Sequence, residues 1–212
     1  MKLKVCGMKH PANTYDLVKL NPDFIGFIFY NKSKRFVGED FEMPEVPPAI
    51  KKVGVFVNED VEKIIALTKK HALDYVQLHG EESIVYCNTL LQAGVKIIKA
   101  FAIDKFFDFS ILHGYQNYCE YFLFDTRTPL FGGSGKKFDW AILDDYKLNK
   151  PFILSGGIDV KDAGELKRLS GIYKNMFAVD LNSRFETEPG VKSISKIKNF
   201  KHLQNQQILE LL

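Results

Sequence analysis

Residues 53–80, VGVFVNEDVEKIIALTKKHALDYVQLHG, contain one full repeat of the fold. The short apolar run Val53–Val57 reads as a strand buried on both faces. The next segment, Asp60–His71, sets apolar Val61, Ile64, Ile65 and Leu67 against Glu62, Lys63, Lys69 and Lys70, the face pattern of a helix packed outside a parallel sheet. Tyr75–Leu78 then supplies a second strand. Strand, amphipathic helix and strand in this order form a βα pattern.

The alternation continues in both directions. Further strands are predicted at Leu3–Cys6, Phe24–Phe29, Lys96–Phe101, Tyr121–Asp125, Phe152–Leu154 and Met176–Asp180, with helices at Glu82–Ala93, Asp159–Leu169 and Ser193–Leu209. Val37–Ile50 carries Pro44, Pro47 and Pro48, so the second helix is expected to be short or irregular. The polar tail after Phe200 is expected to fray. A doubly wound open sheet also alternates strands with helices, but eight short units within 212 residues favour closure. The expected fold is α/β, a single (βα)8 TIM barrel forming one domain over residues 1–212.

A hydrophobic content of 46% is enough for one continuous core. The net charge of +3, from 29 basic and 26 acidic residues, lacks the concentrated positive field of a nucleic-acid binder, and is compatible with an anionic ligand. The start, MKLKVCGMKHPANTYD, is basic but has no sustained apolar segment or small-residue cleavage site. Neither a signal peptide nor a membrane anchor is expected, and the chain reads as soluble and cytoplasmic. Cys6, Cys87 and Cys119 are odd in number and widely spaced, which fits reduced thiols better than a disulfide framework or a CxxC metal site.

In either architecture function collects at the C-terminal strand ends. Those ends carry Cys6-Gly7, Phe29 followed by Ser33-Lys34-Arg35, Asn58, Gln77-Leu78-His79-Gly80, Asp125-Thr126, Ser155-Gly156-Gly157 and Asp180. A closed barrel would gather a thiol, carboxylates, an arginine, a histidine and glycine-rich loops around one opening. Each has an ordinary structural alternative: a buried thiol for Cys6, a loop or cap carboxylate for Asp125, a solvated arginine for Arg35 and tight turns for the glycines.

These strand ends fall within a longer ordered set of motifs. It comprises Val5-Cys6-Gly7, Gly26-Phe27-Ile28-Phe29 with Ser33-Lys34-Arg35, Val53-Gly54-Val55-Phe56-Val57-Asn58 and Val76-Gln77-Leu78-His79-Gly80. It continues with Phe124-Asp125-Thr126, Gly132-Gly133-Ser134-Gly135-Lys136 before Phe138-Asp139-Trp140, Leu154-Ser155-Gly156-Gly157-Ile158, and Val179-Asp180 through Pro189-Gly190. In this order the set resembles the phosphoribosylanthranilate isomerase family from Val5 to about Lys192. Lys34 departs from the family's frequent proline, Ser134 from its frequent threonine, and Leu181-Asn182-Ser183-Arg184-Phe185 from its serine- and glycine-rich form.

The resemblance implies an isomerase of tryptophan biosynthesis that converts N-(5'-phosphoribosyl)anthranilate to 1-(2-carboxyphenylamino)-1-deoxyribulose 5-phosphate by an Amadori rearrangement. That chemistry needs an acid for the departing ring oxygen and a base for the C2 proton, and requires no metal or other cofactor. The resemblance assigns the acid to Asp125 and the base to Cys6. A carboxyl with an ordinary pKa of about 3.9 must be raised to donate a proton at neutral pH, and the Phe122, Leu123 and Phe124 run is expected to help. A thiol near pKa ~8.5 must be deprotonated, which nearby positive charge favours.

Arg35 presents a planar fork suited to the anthranilate carboxylate. Gly156, Gly157, Asp180, Asn182 and Ser183 follow the last two strands, where barrels often bind phosphate, and complete the expected substrate contacts. Gly133, Ser134, Gly135 and Lys136 are a possible mobile cover, and the role of His79 stays open. The partner is a small phosphorylated substrate, and both monomer and homodimer remain possible. The alternatives are a related phosphosugar isomerase, which Cys6 at the end of the first strand disfavours, and a noncatalytic barrel that binds a phosphorylated metabolite.

Overall fold

The computed structural model describes residues 1–127 and 137–206. Eight parallel strands close into a barrel in sequence order: β1 (Lys2–Met8), β2 (Phe24–Ile28), β3 (Lys51–Phe56), β4 (Tyr75–Leu78), β5 (Ile97–Ile103), β6 (Tyr121–Thr126), β7 (Phe152–Leu154) and β8 (Met176–Leu181). β1 closes against β8, with Lys4 beside Asp180 and Val5 beside Leu181. Every strand predicted from the apolar runs is present, with ends shifted by at most two residues.

The helices form an outer layer: α1 (Pro11–Val18), α2 (Val61–Lys70), α3 (Ile84–Gln92), α4 (Leu112–Tyr115), α5 (Ala163–Ile172) and α6 (Ile194–Asn205). α2 shows why these segments start where they do. The Asp60 side chain accepts from the backbone N–H groups of Glu62 and Lys63, and Lys69 and Lys70 sit in the last turn, where the helix dipole favours cations. Ser83 and Ser193 cap α3 and α6 in the same way. No helix forms between Phe29 and Ile50, where the prolines interrupt the chain. After β8 the chain makes a short antiparallel ribbon, β9 (Glu186–Glu188) and β10 (Val191–Lys192), which the apolar pattern does not announce.

Strand alternation sorts the core into two layers. Phe24, Val53, Ile98, Ala100, Leu123, Ile153 and Ala178 form one cluster, the filling of the barrel. Phe122 and Phe124, the sequence neighbours of Leu123, belong instead to the larger cluster between strands and helices. There Phe122 meets the Phe101 ring and Phe124 meets the rings of Tyr146 and Phe152. Fully burying one such ring contributes about 1.5–3 kcal/mol. This corrects the expectation that the whole Phe122–Phe124 run surrounds Asp125: only Leu123 shares its face. The same phase turns Lys4 and Cys6 on β1, Gln77 on β4 and Asp180 on β8 toward the barrel axis. Among the described residues no helix is long and apolar enough to cross a membrane.

Candidate active site at the barrel mouth

Cys6 sits at the C-terminal part of β1, buried to 3% exposure. Two residues earlier on the same face, the fully buried Lys4 donates to Asp180 Oδ2 across the β1–β8 seam at 3.0 Å. Lys4 and Lys192 both place positive charge near the Cys6 sulfur. Burial pushes the Cys6 thiol above its ordinary pKa; Lys4 and Lys192 pull it down and Asp180 pushes it up, leaving the net direction upward. For Lys4, burial lowers the pKa but Asp180 and Cys6 more than offset it, so the ammonium form is held. The positive charge expected beside the thiol is therefore present, and burial outweighs it. Asp180 is itself pushed up by burial, against the pull of Lys4.

Across the mouth, Asp125 ends β6 with 8% exposure. Its Oδ1 accepts from the backbone N–H of Thr126 at 2.8 Å, and its Oδ2 lies 3.2 Å from His79 Nε2. The other ring nitrogen, Nδ1, lies 2.7 Å from Gln77 Nε2. With the Gln77 amide nitrogen as donor to Nδ1, the ring hydrogen lies on Nε2, directed at Asp125. His79 thus acts on Asp125, a role that residue spacing left open. Gly156, at φ +91°, packs against this corner: a Cβ there would lie 2.3 Å from Thr126 Oγ1 and 3.0 Å from Asp125 Oδ1.

Arg35 lies in the loop after β2, with 12% of its side chain exposed. Its Nε donates to both oxygens of Glu186, at 2.8 and 3.0 Å, and its Nη2 donates to Oε2 at 2.7 Å. Lys192 Nζ bonds Glu186 Oε1 at 2.5 Å and Asn182 Oδ1 at 2.8 Å. This cluster rests on the β1 backbone beside Cys6. A Cβ on Gly7, at φ +79°, would lie 2.7 Å from Arg35 Cδ and 2.8 Å from Asn182 Oδ1.

Known proteins resemble this chain along nearly its whole length. The family described as N-(5'phosphoribosyl)anthranilate (PRA) isomerase matches residues 3–202. The chain belongs to this isomerase family. The N-(5'-phosphoribosyl)anthranilate isomerase of Parabacteroides distasonis is 45% identical over 206 residues, covering 94% of this chain and 91% of that protein. The solved phosphoribosyl anthranilate isomerase of Thermotoga maritima superposes with a TM-score of 0.82 at 33% identity, covering 96% of this chain and 98% of that one. Another solved isomerase, in complex with reduced 1-(o-carboxyphenylamino)-1-deoxyribulose 5-phosphate, gives a TM-score of 0.79 at 30% identity with the same coverage.

In this phosphoribosylanthranilate isomerase barrel, Gly156 and Gly157 form the turn after β7, both with positive φ. Asn182 and Ser183 begin the 3-10 turn Ser183–Phe185 after β8. Gly133, Ser134, Gly135 and Lys136 lie outside the described residues. The remaining expected site residues, Cys6, Asp125, Arg35, Asp180, Asn182 and Ser183, converge on one end of the barrel. Asp180 differs in detail from a phosphate contact: its Oδ2 is held by Lys4, and its buried Oδ1 has no hydrogen-bond partner.

The sequence reading did not single out Lys4, Glu186 or Lys192, and assigned no role to Gln77. Lys4 carried a signal, a charge in phase with Cys6 inside an apolar strand. Glu186 carried none, because its partner Arg35 is 151 positions away. The sequence marks Glu82 only as a helix start. It is buried opposite Lys99 at 2.9 Å and accepts from the backbone N–H groups of Asn58 and Gly80, tying together the loops after β3 and β4.

Proposed function

We propose that this chain isomerises N-(5'-phosphoribosyl)anthranilate to 1-(2-carboxyphenylamino)-1-deoxyribulose 5-phosphate in tryptophan biosynthesis, with Asp125 as general acid and Cys6 as general base. The observation that carries the assignment is that both groups face the interior at the same end of one barrel, on strands β1 and β6, inside a chain of this isomerase family. Groups on opposite walls can address different atoms of one sugar.

Asp125, protonated, gives its proton to the furanose ring oxygen as the C1–O bond breaks and the anilino nitrogen forms an iminium ion. The Cys6 thiolate then removes the C2 proton, the C–H electron pair neutralises the iminium, and the resulting enolamine tautomerises to the aminoketone. A cationic iminium beside Cys6 favours the thiolate through the same Coulombic effect that Lys4 and Lys192 exert. One turnover leaves a thiol and a carboxylate, and proton exchange with solvent restores the starting forms.

The ligand's anionic ends find complementary groups. Arg35 receives the anthranilate carboxylate. Backbone N–H groups around Gly156, Gly157, Asn182 and Ser183 receive the phosphate, as turns and short helical starts after the last barrel strands do. Asp180 serves the sugar rather than the phosphate: its unpartnered Oδ1 suits a hydroxyl donor, whereas its charge would repel a phosphate. All these residues come from one chain, so the chemistry is compatible with a monomer or a homodimer.

The test follows the loss of phosphoribosylanthranilate fluorescence with purified wild type, Cys6→Ala and Asp125→Ala. Turnover by the wild type and its collapse in both variants is expected. An intact wild type without turnover would favour a noncatalytic binding barrel, and full turnover in both variants would overturn the residue roles.

A further inference from the structure

Glu186 sits in β9, beyond the last barrel strand, yet only 5% of its side chain is exposed. Both carboxylate oxygens are occupied: Oε1 by Arg35 Nε, Lys192 Nζ and Gly190 N, Oε2 by Arg35 Nε and Nη2. So full a set of partners at a ribbon outside the barrel calls for a role there.

The geometry of the guanidinium supplies one. Arginine has two planar edges that can each hold a two-oxygen anion, the Nε–Nη2 edge and the Nη1–Nη2 edge. Glu186 takes the first. No described residue accepts from Nη1, so the second edge is left for another planar anion. Charge points the same way. Arg35 and Lys192 set two cationic groups against the single Glu186 carboxylate, and although burial lowers the Lys192 pKa, Glu186 counters that pull, so this desolvated cluster keeps positive charge in excess. A monoanionic carboxylate would neutralise it. Packing fixes where that edge is held, because Arg35 Cδ rests against Gly7, next to Cys6.

We infer that Glu186 is a positioning residue that grips Arg35 by one edge of its guanidinium and so presents the opposite edge to the substrate carboxylate, making the site select a carboxylated aryl amine. This rests on the reading above that Arg35 receives the anthranilate carboxylate. The same clamp keeps the Arg35 side chain from turning toward the phosphate, the ligand's other anionic end.

The experiment compares two probes by calorimetry: reduced 1-(o-carboxyphenylamino)-1-deoxyribulose 5-phosphate and its phenylamino counterpart lacking the carboxyl. Wild type is expected to prefer the carboxylated probe by about 10- to 100-fold, the range of a charge-assisted hydrogen-bonded pair. Glu186→Ala is expected to cut that preference at least about five-fold while binding the uncarboxylated probe within about two-fold of wild type, and Glu186→Gln, which keeps acceptor oxygen for Gly190 and Arg35, to retain part of it. Should Glu186→Ala fail to fold, Glu186→Gln carries the comparison alone. An undiminished preference in the folded variants overturns the inference, as does an equal loss for both probes, the mark of a merely structural role. Arg35→Lys separates the two levels. If wild type shows no preference, or Arg35→Lys keeps all of it, the reading of Arg35 fails and takes the clamp with it; if Arg35→Lys loses the preference and Glu186→Gln and Glu186→Ala keep it, only the clamp fails.

Discussion

The Cys6 sulfur occupies space that only a glycine at position 26 leaves open: a Cβ on Gly26 would lie 2.7 Å from Sγ, and its next nearest atoms are also those of Cys6. β1 and β2 are paired on either side of this point, Val5 with Ile25 and Met8 with Phe27, so the two backbones are held close together here. Gly26→Ala is therefore expected to push the thiol off its position. Overpacking of this kind costs about 1–3 kcal/mol in stability, and a displacement near 1 Å at the reacting group can lower kcat about 100-fold. Thermal unfolding and the fluorescence assay read the two effects, and unchanged kcat would show that Cys6 needs no fixed position.

Asp125 is held by one backbone N–H and one histidine. Replacing His79 with leucine removes the second support and leaves a hydrogen-bonding oxygen unsatisfied, so kcat is expected to fall by between about 10- and 100-fold with little change in KM. Gln77→Leu, acting one bond further away through the tautomer of His79, is expected to have a smaller effect in the same direction. Wild-type kcat in His79→Leu would remove His79 from the account.

The Glu82–Lys99 pair is a matter of stability. Lys99 Nζ also donates to the carbonyls of Gly80 and Ala100, and both side chains are almost fully buried. Lys99→Met leaves the Glu82 charge uncompensated, with an expected loss of about 3–5 kcal/mol in urea unfolding. A loss below about 1 kcal/mol would place that pair among those that contribute little.

Acid should weaken the Arg35 clamp. Burial alone raises the Glu186 pKa, but Arg35 and Lys192 outweigh it, and the net direction is below the ordinary 4.5. A group lowered in the folded state contributes stability that is fully present above its unfolded value and disappears as pH falls through its folded value. The stability advantage of wild type over Glu186→Gln is thus expected to shrink as pH falls below about 4.5. Asp180, whose burial raises its pKa, acts with the opposite sign, but it is common to both proteins and cancels in the comparison. An advantage that grew on acidification would contradict the ion-pair reading.

Much of the barrel was legible because each strand is short, largely apolar and bounded by polar residues, as at Phe152–Leu154. Pro44, Pro47 and Pro48 pointed to a short or irregular second helix, and the structure goes further, with no helix there at all. A continuous apolar run, however, has no visible phase. Phe122, Leu123 and Phe124 look alike in sequence, and only packing against Phe101 and Tyr146 decides that the two phenylalanines face outward. Cys6, Asp125 and Arg35 could be found because strand ends and family motifs mark them. Glu186 and Lys192 lie in a polar connection whose importance comes from the chain folding back over Gly7, information that no local pattern holds.

The central claim is that one sugar lies between Cys6 and Asp125, and a crystal structure with reduced 1-(o-carboxyphenylamino)-1-deoxyribulose 5-phosphate bound to this chain tests it most directly. The expected result puts Cys6 Sγ about 3–3.5 Å from C2 and an Asp125 carboxyl oxygen about 2.6–3.2 Å from the oxygen that closes the furanose ring. A ligand bound with either group too far from its atom for even one water molecule to bridge would contradict the assignment.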